Sequence, residues 1–225
     1  MMNTQHIYNI IVAAGSGSRF GASLPKQYCL MNGRPVLMHT IENMRSALPG
    51  SPIILVLSAD FVDYWRDLCK EYSFESPQVV LGGDSRWQSV KNAIDVVPDD
   101  AEVISVHDGA RPIVNKDMVA RLIGALDNVY GVIPVISVTD SLRMINENGS
   151  EPVERSKYKA VQTPQVFYAK VLKEAYSMPF NESFTDDASV LAALGYDVAL
   201  VEGDAYNIKI TNPLDIEVAQ IYLRQ

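Results

Sequence analysis

The sequence contains few cysteines, and their placement excludes the common cysteine-based architectures. Cys29 and Cys69 are the only two among 225 residues, and they lie in unrelated segments. Neither has a partner at the spacing of a zinc site, and two cysteines cannot form the disulfide framework of a small secreted domain. We therefore expect two free thiols and a cytoplasmic protein.

Positive charge is also scarce, because 19 Lys and Arg residues face 27 Asp and Glu residues and give a formal net charge of −8. Nucleic acids and anionic membranes select basic surfaces, so neither is expected as a partner. No apolar run reaches the roughly 20 residues that span a bilayer. The N-terminal residues lack the basic region and cleavage site of an export signal. An anionic substrate would therefore need a few well-placed cations.

The composition nevertheless permits a substantial core. Hydrophobic residues make up 48% of the chain and charged residues 20%, a balance typical of globular proteins. An α/β fold of this length commonly forms one domain. Because we find no internal repeat, low-complexity tract or linker, we predict a single domain over residues 1–225.

Short apolar runs alternate with segments of helical periodicity. The run at 7–14 ends in a glycine-containing loop, which is typical of a strand buried on both faces of a parallel sheet. Further strands are predicted at 53–58, 78–81, 102–106, 132–138 and 197–201, and helices at 35–45, 61–72, 85–96, 116–128, 169–176, 186–194 and 213–223. The N-cap candidates are Asp60, Asp84, Asn115, Thr185 and Asn212. This alternation predicts a three-layer α/β fold with a mostly parallel sheet.

One segment, at about 139–161, departs from this alternation. Two alternating runs flank Asn146-Glu147-Asn148-Gly149, and Asn-Gly is a strong hairpin turn signal. We predict a projecting β-arm. Because such an insertion cannot cover its own apolar face, a second copy of the chain is expected to cover it, giving a homodimer. A solvated hairpin on a monomer is the alternative.

The loop after the first strand has the sequence Ala13-Ala14-Gly15-Ser16-Gly17-Ser18-Arg19-Phe20-Gly21, and its small residues favour phosphate binding through backbone N–H groups. It is not a P-loop, because Arg19-Phe20-Gly21 stands where Gly-Lys-Ser/Thr is required. Phe20 also occupies the third glycine position of the dinucleotide fingerprint, which disfavours a nucleotide-binding oxidoreductase. Arg19 and Lys26 add two cations suited to a triphosphate.

Six ordered motifs across nearly the whole chain resemble the 2-C-methyl-D-erythritol 4-phosphate cytidylyltransferase family. They are the loop at 13–20 with Pro25-Lys26-Gln27-Tyr28, and the segments at 82–90, 107–112, 163–167, 185–189 and 207–211. The resemblance implies a Rossmann-like nucleotidyltransferase fold, a homodimer joined by the β-arm, and transfer of CMP from CTP to methylerythritol phosphate with release of pyrophosphate, a step of non-mevalonate isoprenoid biosynthesis. A ribitol 5-phosphate cytidylyltransferase, which shares the CTP loop, is the alternative.

The resemblance also implies roles for individual residues. Four match the catalytic cations: Arg19, Lys26, Arg155 and Lys209. Arg155 lies on the arm and would reach the partner's site. Seven match the CTP contacts: Ala13, Ala14, Gly15, Gly83, Asp84, Ser89 and Asp108. Five match acceptor contacts: Asp108, Arg111, Ser141, Thr163 and Thr185, with Ser141 standing where the family usually has threonine. Asp108 also matches a carboxylate beside Mg²⁺, an ion that phosphates and water would mostly coordinate.

The chemistry of such a transfer is consistent with these residue types. A phosphate monoester dianion is already a nucleophile, so the protein must chiefly neutralise charge and align the two phosphates. Fixed cations therefore matter more than a general base. We interpret His107 accordingly as a packed histidine. Asp108 and Thr185 also have purely structural interpretations: Asp108 could cap a loop, and Thr185 could be a helix N-cap.

Overall fold

The computed structural model describes residues 4–15, 24–127 and 129–223. Within them the strands are β1 (Ile7–Ala13), β2 (Leu30–Met31), β3 (Arg34–Pro35), β4 (Ile53–Leu57), β5 (Gln78–Leu81), β6 (Val103–Asp108), β7 (Gly131–Ser137), β8 (Arg143–Asn146), β9 (Gly149–Pro152), β10 (Lys159–Val161), β11 (Gln165–Tyr168) and β12 (Ala199–Glu202). The α-helices are α1 (Val36–Ala47), α2 (Val62–Glu71), α3 (Arg86–Ile94), α4 (Lys116–Gly124), α5 (Ala169–Ala175), α6 (Asp187–Ala193) and α7 (Leu214–Tyr222).

Eight of the strands form one central sheet. Its order is β5, β4, β1, β6, β11, β7 and β12, with β10 pairing with β7 next to β11. The pairs β1–β4, β1–β6, β4–β5 and β7–β12 are parallel. Strand β11 is antiparallel to both β6 and β7. The parallel strands therefore end at one common edge, where α/β proteins bind their ligands.

Each face of the sheet is covered by helices, which gives the predicted three layers. Successive side chains of β1 point to opposite faces, so Ile7 and Ile11 belong to one core cluster and Ile10 to the other. Helices α1, α2 and α4 pack on the first face, and α3, α5 and α6 on the second. None of the helices in the described ranges is long and apolar enough to cross a membrane.

The six predicted strands and seven predicted helices are all present, so the predicted fold class is confirmed. Strand β11 was not predicted. Four caps differ by one residue from the prediction. Ser85 rather than Asp84 caps α3, and Asp186 rather than Thr185 caps α6. The N-cap positions of α2 and α7 are Phe61 rather than Asp60 and Pro213 rather than Asn212. Asn115 caps α4 as predicted.

The segment predicted as an arm contains a two-stranded hairpin of β8 and β9. Its turn is closed by the Asn146–Gly149 pair, and the Asn148 N–H donates to Asn146 Oδ1 at 3.0 Å. Ile145 at the tip is 77% exposed. The range 159–161, which was placed in the arm, instead joins the central sheet as β10. The projecting part is therefore shorter than the sequence suggested.

Candidate active site

Two adjoining cavities lie at the edge where the parallel strands end. The first, of about 430 Å³, is lined by the end of β1, the loop before α3 and the end of β6. The second, of about 280 Å³, is lined by the segment before and at the start of β11 and by the start of α6. Arg86, Asp108 and Lys209 line both cavities and form the boundary between them. Molecules bound in the two cavities can therefore contact the same three charged groups.

The floor of the first cavity is a tightly packed junction between β1 and α3. The buried Gln27 side chain donates to the carbonyl oxygens of Ala13 at 2.8 Å and Gly15 at 3.0 Å, which fixes the start of the glycine loop. A Cβ on Gly82 would lie 2.4 Å from Ala14 Cβ. Ser89 Oγ accepts the Gly83 N–H at 3.1 Å. Small residues therefore bring backbone groups to the cavity surface.

Asp108 is the electrostatic centre of the boundary. Its Oδ2 accepts hydrogen bonds from Lys209 Nζ at 2.9 Å and from Arg111 Nε at 3.3 Å, and its Oδ1 lies 3.8 Å from Arg86 Nε. Burial opposes ionisation of this carboxyl. The charges of Lys209, Arg86 and Arg111 outweigh burial and hold the pKa of Asp108 well below its usual range. Asp108 is therefore an anion that orients three cations.

His107 lies directly behind Asp108 and is buried. One ring nitrogen, Nε2, is 3.0 Å from the Arg111 carbonyl oxygen, and Nδ1 is 2.9 Å from Thr163 Oγ1. Burial lowers the pKa of His107 to about 4. The neutral ring with its proton on Nε2 satisfies both contacts, while Thr163 Oγ1 also accepts the Asp108 N–H at 3.0 Å. His107 is thus a structural group, as predicted.

Lys209 is positioned through the backbone of Asn207. The Asn207 carbonyl accepts a hydrogen bond from Arg111 Nη1 at 2.7 Å. The Asn207 side-chain Nδ2 donates a hydrogen bond to the Thr163 carbonyl at 2.7 Å. Gln162 Nε2 approaches the same Asn207 carbonyl at 3.3 Å. These contacts tie the segment that carries Lys209 to the end of β6 and the start of β11.

Sequence reasoning missed Arg86, which belongs to the motif at 82–90 but received no role. Its guanidinium forms a bidentate pair with the buried Asp187, at 3.0 and 2.7 Å. Asp187 was likewise unassigned. The two residues are 101 positions apart, so no local pattern connects them. The only signal in the sequence is a charged residue at the start of each of two amphipathic helices.

The predicted site residues fall into four groups. Ala14, Gly15, Gly83, Asp84, Ser89 and Asp108 line the first cavity, and Ala13 is buried beneath it. Asp108, Arg111, Thr163 and Thr185 line the second cavity, as does Lys209. Ser141 and Arg155 lie on the exposed arm, where the Arg155 guanidinium contacts the Thr139 carbonyl, and neither lines these cavities. Lys26 opens the short 3-10 helix that holds Gln27, and Arg19 lies outside the described residues.

The boundary offers few of the oxygen ligands that Mg²⁺ needs. The described residues contain no cluster of three His, Cys, Asp or Glu side chains that could hold a metal. Asp108 Oδ1 lies 3.8 Å from Arg86 Nε, beyond hydrogen-bonding distance, so within the described part of the chain Arg86 does not occupy it. The residues therefore fit an ion that takes one carboxylate oxygen and receives its other ligands from phosphates and water.

A three-layer α/β fold with small residues after β1 and two cavities that share cationic side chains suits an enzyme that joins two phosphate-bearing substrates, as nucleotidyltransferases do. The model of the 2-C-methyl-D-erythritol 4-phosphate cytidylyltransferase family matches residues 7–225. The chain belongs to this family, and it is an enzyme of the cytidylyltransferase type.

Individual relatives agree with the family match. A 2-C-methyl-D-erythritol 4-phosphate cytidylyltransferase from Bacteroides fragilis is 46% identical over 215 residues, covering 95% of this chain and 98% of that protein. One from Porphyromonas gingivalis strain ATCC 33277 is 44% identical over 221 residues, covering 97% and 98%. The crystal structure of 4-diphosphocytidyl-2C-methyl-D-erythritol synthase from Anaerococcus prevotii superposes with a TM-score of 0.82 at 28% identity, covering 99% and 97%.

Proposed function

We propose that this protein transfers CMP from CTP to 2-C-methyl-D-erythritol 4-phosphate. An oxygen of the acceptor phosphate forms a bond to the α-phosphorus of CTP, the bond from that phosphorus to the bridging oxygen breaks, and pyrophosphate leaves with the electron pair. The observation that carries the proposal is the boundary of Arg86, Asp108 and Lys209 between two adjoining cavities. Two phosphates that react must meet at such a shared wall.

The first cavity is proposed to bind CTP. Backbone groups of Ala14, Gly15 and Gly83, with Asp84 and the Ser89 hydroxyl, line this cavity and recognise the nucleotide, because close backbone approach and one hydroxyl suit the edge of a base. Ala13, buried beneath the cavity, supports them. Arg19 and Lys26 are proposed to neutralise the triphosphate and the departing pyrophosphate. Fixed cations at developing negative charge need no reorganisation during the reaction.

The second cavity is proposed to bind the acceptor. Lys209 and Arg111 supply positive charge for the phosphate, and the hydroxyls of Thr163 and Thr185 supply hydrogen bonds. Asp108 orients the cations and contacts the ribose or the metal. Mg²⁺, when bound, would withdraw charge from the phosphates, and Asp108 is the side chain that would hold it.

We further propose that the arm joins two copies into a homodimer. The exposed Ile145 at the hairpin tip supports this, because an isolated two-stranded hairpin with exposed apolar side chains is poorly stable in water. Arg155 and Ser141 would then complete the acceptor site of the partner. The whole chain would act as one catalytic domain in the cytoplasm, where the free thiols of Cys29 and Cys69 stay reduced.

The acceptor is tested by pyrophosphate release from CTP and Mg²⁺, with methylerythritol phosphate and ribitol 5-phosphate supplied separately. We expect release with methylerythritol phosphate alone, because the family match and the relatives favour it. Release with ribitol 5-phosphate alone would identify the protein as a ribitol 5-phosphate cytidylyltransferase instead. Stabilisation of the protein by NAD but not CTP in a melting experiment would instead favour an oxidoreductase.

A further inference from the structure

An ion pair between the partly exposed Arg86 and the buried Asp187 connects the boundary of the two cavities to the helices behind it. Arg86, the first residue of α3, donates from Nη1 to Asp187 Oδ1 at 3.0 Å and from Nη2 to Asp187 Oδ2 at 2.7 Å. The Asp187 side chain, at the first residue of α6, is completely buried. Two parallel hydrogen bonds fix the plane of a guanidinium as well as its position.

Tyr176 supplies a third hydrogen bond to the same carboxylate. Its hydroxyl, at the end of α5, donates to Asp187 Oδ1 at 2.6 Å, and its ring stacks on Trp87 with centroids 5.7 Å apart. A buried carboxylate is tolerated only when it is paired and its remaining lone pairs accept hydrogen bonds. Tyr176 therefore restricts Asp187, and through it Arg86, to one geometry.

Arg86 retains donors for a ligand. A guanidinium has five N–H donors, of which two bind Asp187. The Nε atom lies 3.8 Å from Asp108 Oδ1, which exceeds hydrogen-bonding distance. Among the residues that the structure describes, Asp187 is thus its hydrogen-bond partner, and the guanidinium still contributes to the walls of both cavities.

We propose that Tyr176 and Asp187 are positioning residues that hold Arg86 at the boundary. There its guanidinium binds oxygens of the acceptor phosphate and of the α-phosphate of CTP during transfer. The inference rests on the proposed function, since it assigns a role in that same reaction. A cation held rigidly between the reacting phosphates stabilises charge in the transition state more than in either bound substrate. Loosening it should lower kcat and leave KM nearly unchanged.

The informative variant is Tyr176→Phe, which keeps the ring on Trp87 and removes only the hydroxyl. Asp187→Ala would leave the partly buried Arg86 cation without its partner and disturb the fold. For Tyr176→Phe we expect kcat to fall about 3- to 10-fold, with KM for CTP and for methylerythritol phosphate within about twofold of wild type. The melting temperature should fall by about 2–4 °C.

Two controls separate positioning from general loosening. Tyr130→Phe removes a hydroxyl at the opposite, amino-terminal end of β7, where Tyr130 is half exposed, and should leave kcat unchanged. In an Arg86→Lys background, Tyr176→Phe should cost less than about twofold, because a lysine is a point charge that needs no bidentate alignment.

The possible outcomes distinguish failure of the proposed function from failure of this inference alone. A wild-type protein without turnover of CTP and methylerythritol phosphate overturns the proposed function and this inference with it. Active wild type with unchanged kcat in Tyr176→Phe overturns the inference alone. The same holds if Tyr176→Phe lowers kcat equally in the Arg86 and Arg86→Lys backgrounds, since the hydroxyl would then act independently of Arg86.

Discussion

The ammonium group of Lys209 lies 2.9 Å from Oδ2 of Asp108, at the boundary of the two cavities. The Lys209 side chain is 41% exposed, whereas that of Asp108 is 12% exposed. The carboxylate is therefore held by the protein, and the ammonium group is the member of the pair that can turn to an incoming phosphate. This asymmetry makes Lys209 the clearest single test of the proposed site.

Replacement of Lys209 by alanine should reduce catalysis without unfolding the protein. We expect kcat/KM to fall about 10²–10³-fold, the loss typical of one group that stabilises developing charge. Stability should fall by only about 1 kcal/mol, because Asp108 keeps its contacts with Arg111 and Arg86. Lys116→Ala, at the exposed start of α4, is the matched control. Steady-state kinetics showing wild-type turnover in Lys209→Ala would remove Lys209 from the mechanism.

The buried His107 should make the fold sensitive to mild acid. Its pKa is lowered from 6.5 to about 4 by burial, so the unfolded chain binds its proton first as pH falls. Stability is full above pH 6.5 and declines as pH falls from there towards 4, by about 2 kcal/mol between pH 7.5 and pH 5. Denaturant titrations at the two pH values measure this. His107→Gln should flatten the difference, and an unchanged difference would contradict the assignment.

Gly82 should tolerate no side chain, because a Cβ there would meet Ala14 Cβ at 2.4 Å and Ser89 Oγ at 2.9 Å. Gly82→Ala is expected to displace the floor of the first cavity, raise KM for CTP by about tenfold or more, and destabilise the fold by about 1–3 kcal/mol. Gly124→Ala, where nothing lies within 4 Å, is the control and should behave as wild type. Equal KM values for CTP in the two variants would show that Gly82 does not shape the nucleotide site.

Mixing two inactive variants tests whether Arg155 acts in the partner's site. When Arg155→Ala and Lys209→Ala subunits are dissociated and reassociated together, half of the resulting dimers would be heterodimers. Each heterodimer would have one complete site and one that lacks both residues. Activity should therefore return to about a quarter of wild type. If Arg155 served its own subunit, every site would lack one residue and mixing would restore nothing.

The proposed role of Mg²⁺ predicts that removal of divalent ions stops turnover without affecting the fold. The described residues hold no three-ligand cluster, so a metal has no structural site there. Chelation should abolish pyrophosphate release and leave the melting temperature of the substrate-free protein within about 1 °C. A large fall in melting temperature on chelation would instead indicate a resident structural metal.

Much of the fold could be predicted because buried parallel strands give continuous apolar runs, as at Ile53–Leu57, where every residue is buried. Strand β11 escaped prediction because Gln165–Tyr168 is short, follows proline and begins with a polar residue. Its direction depends on its neighbours β6 and β7, which no local pattern specifies. The caps at Ser85 and Asp186 were each displaced by one residue because adjacent residues are equally good cap formers.

Site residues that lie in short sequence motifs could be predicted, whereas those that depend on long-range contacts could not. The residues around Ala14 and Gly83 lie in recognisable motifs, and they line the first cavity. The pair of Arg86 and Asp187 depends on two helix starts meeting in space, which one sequence cannot reveal. The roles given to Lys26, Arg155 and Arg19 stay predictions that the experiments above address.

Strand β11 runs against its neighbours, so its beginning rather than its end reaches the edge where the cavities lie. Thr163 thereby joins Asp108 although the chain between them travels out through the arm and back. The first half of the chain thus builds most of the first cavity, proposed to bind CTP, and the second half builds most of the second cavity, proposed to bind the acceptor. Substitutions at the start of β11 would therefore alter the second cavity, and with it the choice of acceptor, without touching the loop after β1 or the segment before α3.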